Sequence, residues 1–389
     1  MSENKSAYAS RGVSATKDEV HAAIKTQDKG VFPGAFCKLV ADPAGDENYC
    51  AAFHADGAGT KSALAYIKYK ETGSTDAFYG IAQDSAVMNM DDLLCIGAKG
   101  GFVMSNTIGR NAHRVGGDAI AAVINGYDGF AAKMAEFGVD ITMAGGETAD
   151  VGDLVATIIC DSTFFVRLAR RDVIDCDNIK PGDVIVGLAS FGQATYEDKY
   201  NAGMGSNGLT AGRHLLLAHK YAELYPETYS ATMGIDNAYV GKYDALDILP
   251  GTDVSVIDAI LSPTRTYAPI IADILRAGTD VHGIIHCTGG GQAKCKNFGK
   301  NLHYIKDNLF ERPPLFEAFA ESGAIDAREM YQVFNMGHRM ELYLNEKDAD
   351  AIIATAKKYN VDAKIVGRVE EGNGKNSVTL TDRGQTFEY

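Results

Sequence analysis

Residues 56–61, with the sequence D-G-A-G-T-K, combine the residue types that bind phosphate and metal. They lie between an apolar run predicted to be a strand, 50–54, and a predicted helix, 62–70. Glycines let backbone N–H groups approach an anion closely, and the N-terminus of a helix favours phosphate. Asp56 would repel a bare phosphate, so its presence indicates a divalent cation between the two. The alternative is an ordinary strand-to-helix turn, in which Gly and Asp are common.

Several carboxylates follow this glycine loop. Asp84, Asp91 and Asp92 fall in a helix predicted over 76–96, where Asp84 and Asp91 share a face. Carboxylates that face Asp56 would hold Mg²⁺, which prefers oxygen ligands and substrate phosphates. A solvated helix face is the alternative. Glu147, in a loop predicted over 144–148, is a further candidate metal ligand, with a plain turn as its alternative.

Two glycine-containing stretches in the second half are also candidates. Residues 205–208, G-S-N-G, precede a helix predicted from Leu209 and indicate an anion site with Ser206 or Asn207 as the N-cap. The formal G-x-G-x-x-G at 203–208 lacks the tight strand–turn–helix context of a dinucleotide site, and no P-loop motif occurs. His286 stands before the glycines of 289–291 and is a candidate general acid or substrate contact.

Helices and strands of moderate length must position these residues. The remaining helices are predicted over 116–137, 265–275 and 347–358, and the remaining strands over 139–143, 154–160, 163–168, 184–188, 284–286 and 340–344, and near 365 and 378. Apolar density falls at 170–172, where turn residues follow. We therefore predict an N-terminal domain, 1–169, and a C-terminal domain, 170–389.

Composition limits the classes of function. The net charge of −14 argues against binding to nucleic acid or anionic membranes. No apolar run reaches the ~18 residues of a membrane-spanning helix. The seven cysteines are scattered, odd in number and free of any C-x-x-C, which favours reduced thiols and a cytoplasmic protein.

Seven motifs in order resemble the aminoimidazole ribonucleotide synthetase (phosphoribosylformylglycinamidine cyclo-ligase) family. They are residues 56–61, Asp84 with Asp92-Leu93, 145–149, 206–208, 263–267, 286–291 and 334–337. The resemblance implies a two-domain fold of the α+β or α/β class. Its N-terminal domain is a four-stranded sheet that pairs into a dimer barrel, and its C-terminal domain is a larger α/β domain. It also implies ATP-dependent cyclisation of formylglycinamidine ribonucleotide to aminoimidazole ribonucleotide.

The resemblance further implies the roles of individual residues. The catalytic residues would be Lys61, His286 and Asp92. The cofactor would be bound by Asp56, Gly57, Gly59, Thr60, Lys61, Asn207 and Gly208. The metal would be held by Asp56, Asp84, Asp92 and Glu147. The implied cofactors are ATP and Mg²⁺, with K⁺ as a further ion to test, and the implied assembly is a homodimer.

The chain departs from the family pattern at several positions. Asp91 stands where Asn is usual, Gly205 where His is usual, residues 150–153 replace a Met-Pro-Gly run, and His338-Arg339 replace small residues. These changes leave two alternatives open: a related ATP-using enzyme with another substrate, and a nucleotide-binding paralogue without turnover. A polar insertion precedes Gly205, so we expect residues 192–205 to be mobile and to close over substrate, supplying Tyr196, Lys199 or Tyr200 in place of the histidine.

Overall fold

The chain forms two sheets, each with helices packed against it. A computed structural model describes residues 11–13 and 22–389. The first sheet has the strand order β1-β2-β5-β3-β4. Its strands are β1 (Val40–Ala41), β2 (Tyr49–Gly57), β3 (Phe102–Arg110), β4 (Ile141–Asp150) and β5 (Ile158–Ala169). The prediction of four strands is therefore one short, because the two-residue β1 pairs with the outer edge of β2.

Three strands of this sheet differ from the prediction. The predicted loop 144–148 belongs to β4, because β4 resumes parallel pairing with β3 after an irregularity near Gly145. The two strands predicted over 154–168 are one strand, β5, which pairs with β2 on one side and with β3 on the other. Strand β3 was not predicted. Pairing between distant segments determines all three features, and a local pattern carries little information about it.

Three helices cover one face of the first sheet. They are α1 (Lys61–Thr72), α2 (Asp76–Leu94) and α3 (Gly117–Glu136). Helix α2 packs against the sheet, against α1 and α3, and against the second half of the chain, so its residues are buried on almost every side. Helices α2 and α3 approach so closely that a Cβ at Gly126 of α3 would lie 2.3 Å from the carbonyl oxygen of Tyr79. The predicted helices at 62–70, 76–96 and 116–137 are confirmed to within a few residues.

Within residues 11–13 and 22–389, no helix lies over the opposite face of the first sheet. Phe53 of β2 is 73% exposed there, and its ring lies 6.1 Å from that of Phe165 on β5. Ile159 of β5 is also exposed. A large apolar side chain at 73% exposure is uncommon in the middle of a sheet, so this face is a candidate contact surface.

The second sheet has seven strands in the order β12-β11-β8-β10-β6-β9-β7. These strands are β6 (Val184–Ala189), β7 (Val281–His286), β8 (Leu302–Lys306), β9 (His338–Leu344), β10 (Ala363–Glu371), β11 (Ser377–Asp382) and β12 (Gln385–Glu388). Only the β8–β11 pair is parallel. The predicted strands at 184–188, 284–286, 340–344, 365 and 378 are confirmed, whereas β8 and β12 were not predicted.

The helices of the second half are shorter. They are α4 (Leu209–Leu216), α5 (Lys220–Leu224), α6 (Val256–Ile260), α7 (Ala268–Arg276), α8 (Pro314–Glu321), α9 (Ala327–Val333) and α10 (Ala349–Lys358). Buried apolar residues from both halves form one continuous cluster. The chain passes from the first sheet to the second between Ala169 and Val184. The domain boundary at 169–170 stays a prediction.

The second sheet buries a complete ionic network. Lys306 of β8 and Glu341 of β9 are both fully buried and form an ion pair. The other oxygen of Glu341 accepts a hydrogen bond from the Tyr343 hydroxyl at 2.6 Å, and His338 lies 2.8 Å from the paired oxygen. Lys306 also donates to the backbone oxygen of Gln292 at 2.7 Å. Every charged atom of the pair therefore has a partner.

The segment 192–205 is packed, so the expectation that it buries little apolar surface is wrong. Tyr196 is 6% exposed, donates its hydroxyl to the Thr266 carbonyl at 2.7 Å, and packs against the rings of Phe137 and Tyr359. Both carboxylate oxygens of Glu197 accept from the buried Arg265. These contacts hold Tyr196 and Glu197 in place, and closure of the segment over substrate stays a prediction.

The seven cysteines are free, and six of them are buried, with Cys37 partly exposed. Burial raises the pKa of the thiol in each of them. Among the helices that the structure describes, none has the length and hydropathy needed to cross a membrane.

Candidate active site

The glycine loop between β2 and α1 is the strand–turn–helix element that the sequence predicts. Helix α1 begins at Lys61, and Thr60 precedes it without a side-chain cap. A Cβ at Gly57 would lie 1.8 Å from Asp161 Oδ1, so only glycine fits beside β5. Gly59 has a φ of +58° and open space on its outer side. The loop is therefore tight against the sheet and open to a ligand on the other side.

A second glycine loop, from the other half of the chain, lies against the first. Thr60 Oγ1 is 3.0 Å from Thr210 Oγ1, at the start of α4. The N-cap of α4 is Gly208, with a φ of +79° and no side-chain capping bond, so the prediction that Ser206 or Asn207 caps this helix is wrong. A Cβ at Gly208 would lie 2.5 Å from the Phe334 ring, which requires glycine there. The two glycine loops are therefore in direct contact through the hydroxyls of Thr60 and Thr210.

Lys61 and Asp84 form a fully buried ion pair beneath the first loop. The amine of Lys61 donates to Asp84 Oδ1 and to the Ser262 carbonyl, both at 2.6 Å. Asp84 Oδ1 also accepts from the backbone N–H of Thr264 at 2.7 Å and from its hydroxyl at 2.6 Å. Asp84 Oδ2 is buried and has no hydrogen-bond partner. The pair thus joins the two halves of the chain and leaves one carboxylate oxygen unpartnered.

Ser206 extends this network into the second loop. Its hydroxyl lies 2.7 Å from Thr264 Oγ1 and donates weakly to Asp84 Oδ1 at 3.5 Å. Asn207 lies next to it, with a buried side-chain oxygen that has no partner. Burial lowers the pKa of Lys61, against the opposing charge of Asp84. Asp84 and Asn207 thus each present a buried oxygen that can still accept a hydrogen bond or bind a cation.

Asp92 belongs to a separate network that links both halves of the chain. Its Oδ1 accepts from His286 Nδ1 at 2.7 Å, and its Oδ2 lies 3.3 Å from His54 Nε2. His54 Nδ1 is 2.9 Å from Asn89 Oδ1. The amide nitrogen of Asn89 donates to three carbonyls and to Ser162 Oγ, so its oxygen must face His54. Both nitrogens of His54 therefore face oxygen acceptors, an arrangement that favours the imidazolium.

The pKa values in this network agree with that hydrogen-bond pattern. Burial lowers the pKa of His54, but Asp92 outweighs this effect and raises the pKa above its usual value. Burial lowers the pKa of His286 to about 4, so its ring is neutral at pH 7. Burial would raise the pKa of Asp92, yet the hydrogen bonds from His286 and His54 hold it well below its usual range. The network therefore favours the protonated form of His54 and the neutral form of His286.

Asp91, next in the chain, lies in the interface between α2 and the second half. It accepts from the Thr266 hydroxyl at 2.6 Å and from the Tyr267 N–H at 3.2 Å, and Arg339 lies 3.7 Å away. Burial raises the pKa of Asp91 to about 7 despite the Arg339 charge. The predicted shared face of Asp84 and Asp91 is thus turned toward residues 262–267, and neither carboxylate is solvated.

The four predicted metal ligands do not form one cluster. Asp56 is exposed at the first loop, whereas Asp84 and Asp92 are buried in the two networks just described. Glu147 is on β4, and β5 and β3 separate that strand from β2, a distance of about 14 Å at the usual strand spacing. Within residues 11–13 and 22–389, no three His, Cys, Asp or Glu side chains are arranged to hold a metal ion.

Sequence reasoning missed several residues of the site. His54 lies two positions before Asp56 on the same strand, a spacing that places both on one face. Thr264 was part of a quoted motif but had no role assigned to it. Asp161 reaches Gly57 only through the pairing of β2 with β5, which no local signal predicts.

Comparison with known families agrees with this architecture. Residues 28–163 match the N-terminal domain of AIR synthase related proteins, and residues 180–379 match the C-terminal domain. Two curated relatives named phosphoribosylformylglycinamidine cyclo-ligase align over most of their length. The Methanocaldococcus jannaschii protein is 29% identical over 83% of this chain and 79% of its own, and the Thermoplasma acidophilum protein is 29% identical over 84% and 82%. A Methanopyrus kandleri protein of the same name is 36% identical over 52% of this chain and 48% of its own.

Solved structures share the fold at low sequence identity. Thermotoga maritima PurL complexed with FGAR superimposes with a TM-score of 0.57 at 17% identity, covering 96% of this chain. This chain spans about half of that one, 49%. A chain of the HypE-HypF complex superimposes with a TM-score of 0.58 at 15% identity, covering 96% of this chain and 99% of that one.

Proposed function

The chain belongs to the AIR synthase related family, and we propose that it cyclises formylglycinamidine ribonucleotide to aminoimidazole ribonucleotide, using ATP and releasing ADP and phosphate. The observation that carries this proposal is the contact of the two glycine loops, with Thr60 and Thr210 3.0 Å apart. Two loops of this kind offer backbone N–H groups to two phosphate-bearing substrates in one cleft. The name shared by the curated relatives supports the same reaction.

The proposed reaction has two steps. The formyl oxygen attacks the γ-phosphorus of ATP, and ADP leaves. An amidine nitrogen of the same molecule then attacks the activated carbon, the C–O bond breaks, and phosphate leaves as the nitrogen loses a proton. An amide oxygen is a poor leaving group, so phosphorylation makes the second step feasible. Ring closure is intramolecular, and the protein accelerates it by holding the chain folded and the phosphates fixed.

Asp56 and Asp84 are the carboxylates best suited to hold the Mg²⁺ of the nucleotide. Magnesium needs only one or two protein carboxylates when phosphates supply its other ligands. Asp56 is exposed beside the first loop, and Asp84 has an unpartnered oxygen. When bound, Mg²⁺ would neutralise charge on the transferred phosphoryl group. Asp92 has both oxygens occupied, and Glu147 is three strands away, so we assign neither to the same ion.

The buried positions of Lys61 and His286 suggest indirect roles for these two residues. The Lys61 amine is fully buried on Asp84, so we propose that it acts on the nucleotide by fixing that carboxylate. His286 is buried with Nδ1 on Asp92 and Nε2 facing Arg339, so we propose that it orients Asp92 and transfers no proton to substrate. His54, with 21% of its side chain exposed and two residues from Asp56, is the better candidate for a cation near the transferred phosphoryl group.

The uncovered face of the first sheet supports a homodimer. Phe53, Phe165 and Ile159 lie on that face, where a second copy of the sheet would bury them. Such pairing would also protect the edge strands β1 and β4. Light scattering on the purified protein should give about twice 41.6 kDa, and Phe53→Asp should give the monomer mass. The same mass for both proteins would rule out this face as the interface.

An assay tests the reaction directly. Purified protein is incubated with formylglycinamidine ribonucleotide, ATP, Mg²⁺ and K⁺, and aminoimidazole ribonucleotide and ADP are measured, with each ion omitted in turn. One ADP should form for each product molecule. ATP hydrolysis with a different acceptor would favour a related ATP-using enzyme, and nucleotide binding without any turnover would favour a regulatory paralogue. We also propose a cytoplasmic location, where this substrate and reduced thiols would be found.

A further inference from the structure

Arg339 of β9 is a buried guanidinium at the junction of the two halves of the chain. It is 2% exposed, and its carbon lies 5.5 Å from the centre of the Tyr267 ring. Its Nε donates to His286 Nε2 at 3.0 Å, and one terminal nitrogen donates to the Arg265 carbonyl. The same nitrogen is 3.7 Å from Asp91 on α2. One side chain therefore touches β7, the segment before α7, and a helix of the first half.

Arg339 determines which nitrogen of His286 carries the hydrogen. An arginine N–H can only donate, so His286 Nε2 must be the acceptor. The ring hydrogen is then on Nδ1, where it is donated to Asp92. Without the guanidinium, a buried Nε2 would have no partner. Arg339 thus fixes the tautomer and the orientation of the ring that holds Asp92.

Gly205 leaves the space that the Arg339 guanidinium fills. Its φ is +72°, and a Cβ at this position would lie 2.8 Å from Arg339 Nη1 and 3.4 Å from its Cδ. Gly205 is the residue before Ser206, at the start of the second glycine loop. Asp91, Gly205 and Arg339 are all positions where the sequence departs from the pattern it resembles. The structure brings these three departures into one contact group.

We infer that Arg339 is a positioning residue for the second glycine loop and for His286, and that Gly205 is required because of it. The loop keeps its position because the guanidinium packs against the backbone of Gly205, while Asp91 and the Arg265 carbonyl hold the guanidinium. A substrate phosphate bound by residues 206–208 therefore depends on a side chain that does not touch it. The effect on catalysis rests on the proposed function, whereas the effect on His286 does not.

The test is a double-mutant cycle between positions 205 and 339. Gly205→Ala is made in the wild type and in the double variant Asp91→Asn/Arg339→Met, which removes both buried charges so that neither is left unpaired. Gly192→Ala is the matched control, because Gly192 has a φ of +91° and nothing within 4 Å of a Cβ. It measures the backbone strain alone.

Gly205→Ala is expected to weaken the binding of one substrate, and the size of this effect should depend on Arg339. In the wild type, Gly205→Ala should raise one of the two KM values about tenfold and change kcat less than threefold, since coupled neighbours deviate from additivity by this much. In the Asp91→Asn/Arg339→Met background, Gly205→Ala should raise that KM by no more than Gly192→Ala does. Equal losses in the two backgrounds would overturn the inference.

A second measurement does not depend on turnover. In protein labelled with ¹⁵N-histidine, the Nε2 resonance of His286 should move in Asp91→Asn/Arg339→Met toward that of a nitrogen without a donor, and stay in place in Gly192→Ala. An unchanged resonance in the double variant would overturn the tautomer assignment. If the wild type fails to cyclise the ribonucleotide but this resonance moves, the proposed function is wrong and the positioning role of Arg339 stands.

Discussion

Two fully buried lysine–carboxylate pairs in this chain differ in how completely they are satisfied. Lys306 and Glu341 lie inside the second sheet, and each oxygen of Glu341 has a hydrogen-bond partner. Lys61 and Asp84 lie beneath the candidate site, and Asp84 Oδ2 has none. The pKa values of the two lysines also move in opposite directions. Burial lowers the pKa of Lys61, whereas Cys295 and Glu341 outweigh burial at Lys306 and raise its pKa.

We propose that this difference distinguishes a structural ion pair, Lys306–Glu341, from one that takes part in the candidate site, Lys61–Asp84. A complete network gains nothing from a ligand, and its loss is felt as loss of stability. An incomplete one is less favourable in the empty protein and becomes complete only when a ligand supplies the missing partner. Burial and charge are the same in the two places, so the unpartnered oxygen is the feature that distinguishes the site.

The largest effect on stability is expected for Glu341→Ala. It leaves the Lys306 ammonium buried without its counter-charge, which costs about 3–5 kcal/mol in the free energy of unfolding. Urea denaturation followed by circular dichroism measures this. Glu341→Ala/Lys306→Met, which removes both charges, should recover much of the loss. A cost below about 1 kcal/mol for the single variant would mean that the pair is not a structural one.

Acid should weaken the Glu341 pair in a defined pH window. Burial opposes ionisation, but Lys306 and His338 outweigh it and lower the pKa of Glu341 to about 2. The folded-state pKa is below the unfolded value of about 4.3, so the stabilisation is present above pH 4.3 and is lost as the pH falls toward 2. The loss amounts to about 3 kcal/mol. Unfolding free energies of wild type and Glu341→Gln, measured across this window, should converge as the pH falls.

A smaller effect on stability, with a large one on turnover, is expected for Asp84→Asn. The amide keeps an oxygen that can accept from Lys61 and Thr264 but loses the negative charge. This loss should lower the free energy of unfolding by about 2 kcal/mol. Turnover should fall at least about a hundredfold, because the carboxylate proposed for Mg²⁺ is gone. Asp258→Asn, which removes a more exposed partner of Lys68, is the matched control. If the two variants reduce turnover equally, Asp84 has a structural role only, as Glu341 does.

The smallest effect on stability is expected for Asp56→Asn. The side chain is exposed at the first loop, so the free energy of unfolding should change by no more than about 0.5 kcal/mol. ATP turnover should nevertheless be abolished if this carboxylate meets the nucleotide metal. Near-normal activity would remove Asp56 from the metal site and leave Asp84 as the remaining candidate.

Local features of the fold were predictable from the sequence. The glycine loop, helix α3 and strand β6 each have a clear period or turn signal, and all three are confirmed. Strand β3 and the second half of β4 were missed, because parallel pairing between them determines their conformation. A bulge near Gly145 also makes that part of the strand resemble a loop.

The sequence identified many of the residues of the candidate site, but it did not predict which of them contact each other. Asp84 and Lys61 were both selected from the sequence, for a metal and for phosphate, and the structure places them on each other. Their contact with Ser262 and Thr264 joins residues about two hundred positions apart. The role proposed for Arg339 could not be predicted for the same reason, since it depends on the contact between its guanidinium and Gly205, far apart in sequence.

The burial of the cysteines has a practical consequence for handling the protein. Thiolate is the form that reacts with peroxides and disulfides, and burial raises the pKa of the thiol in all seven cysteines. The native protein should therefore survive mild oxidants without a reducing agent. Cys160 lies on β5 of the first sheet, and Cys295 is buried in the core of the second sheet. Each thiol therefore becomes accessible only when the part of the chain around it unfolds. The rates at which these two thiols are alkylated would time the opening of the two halves separately, with no label added to the chain.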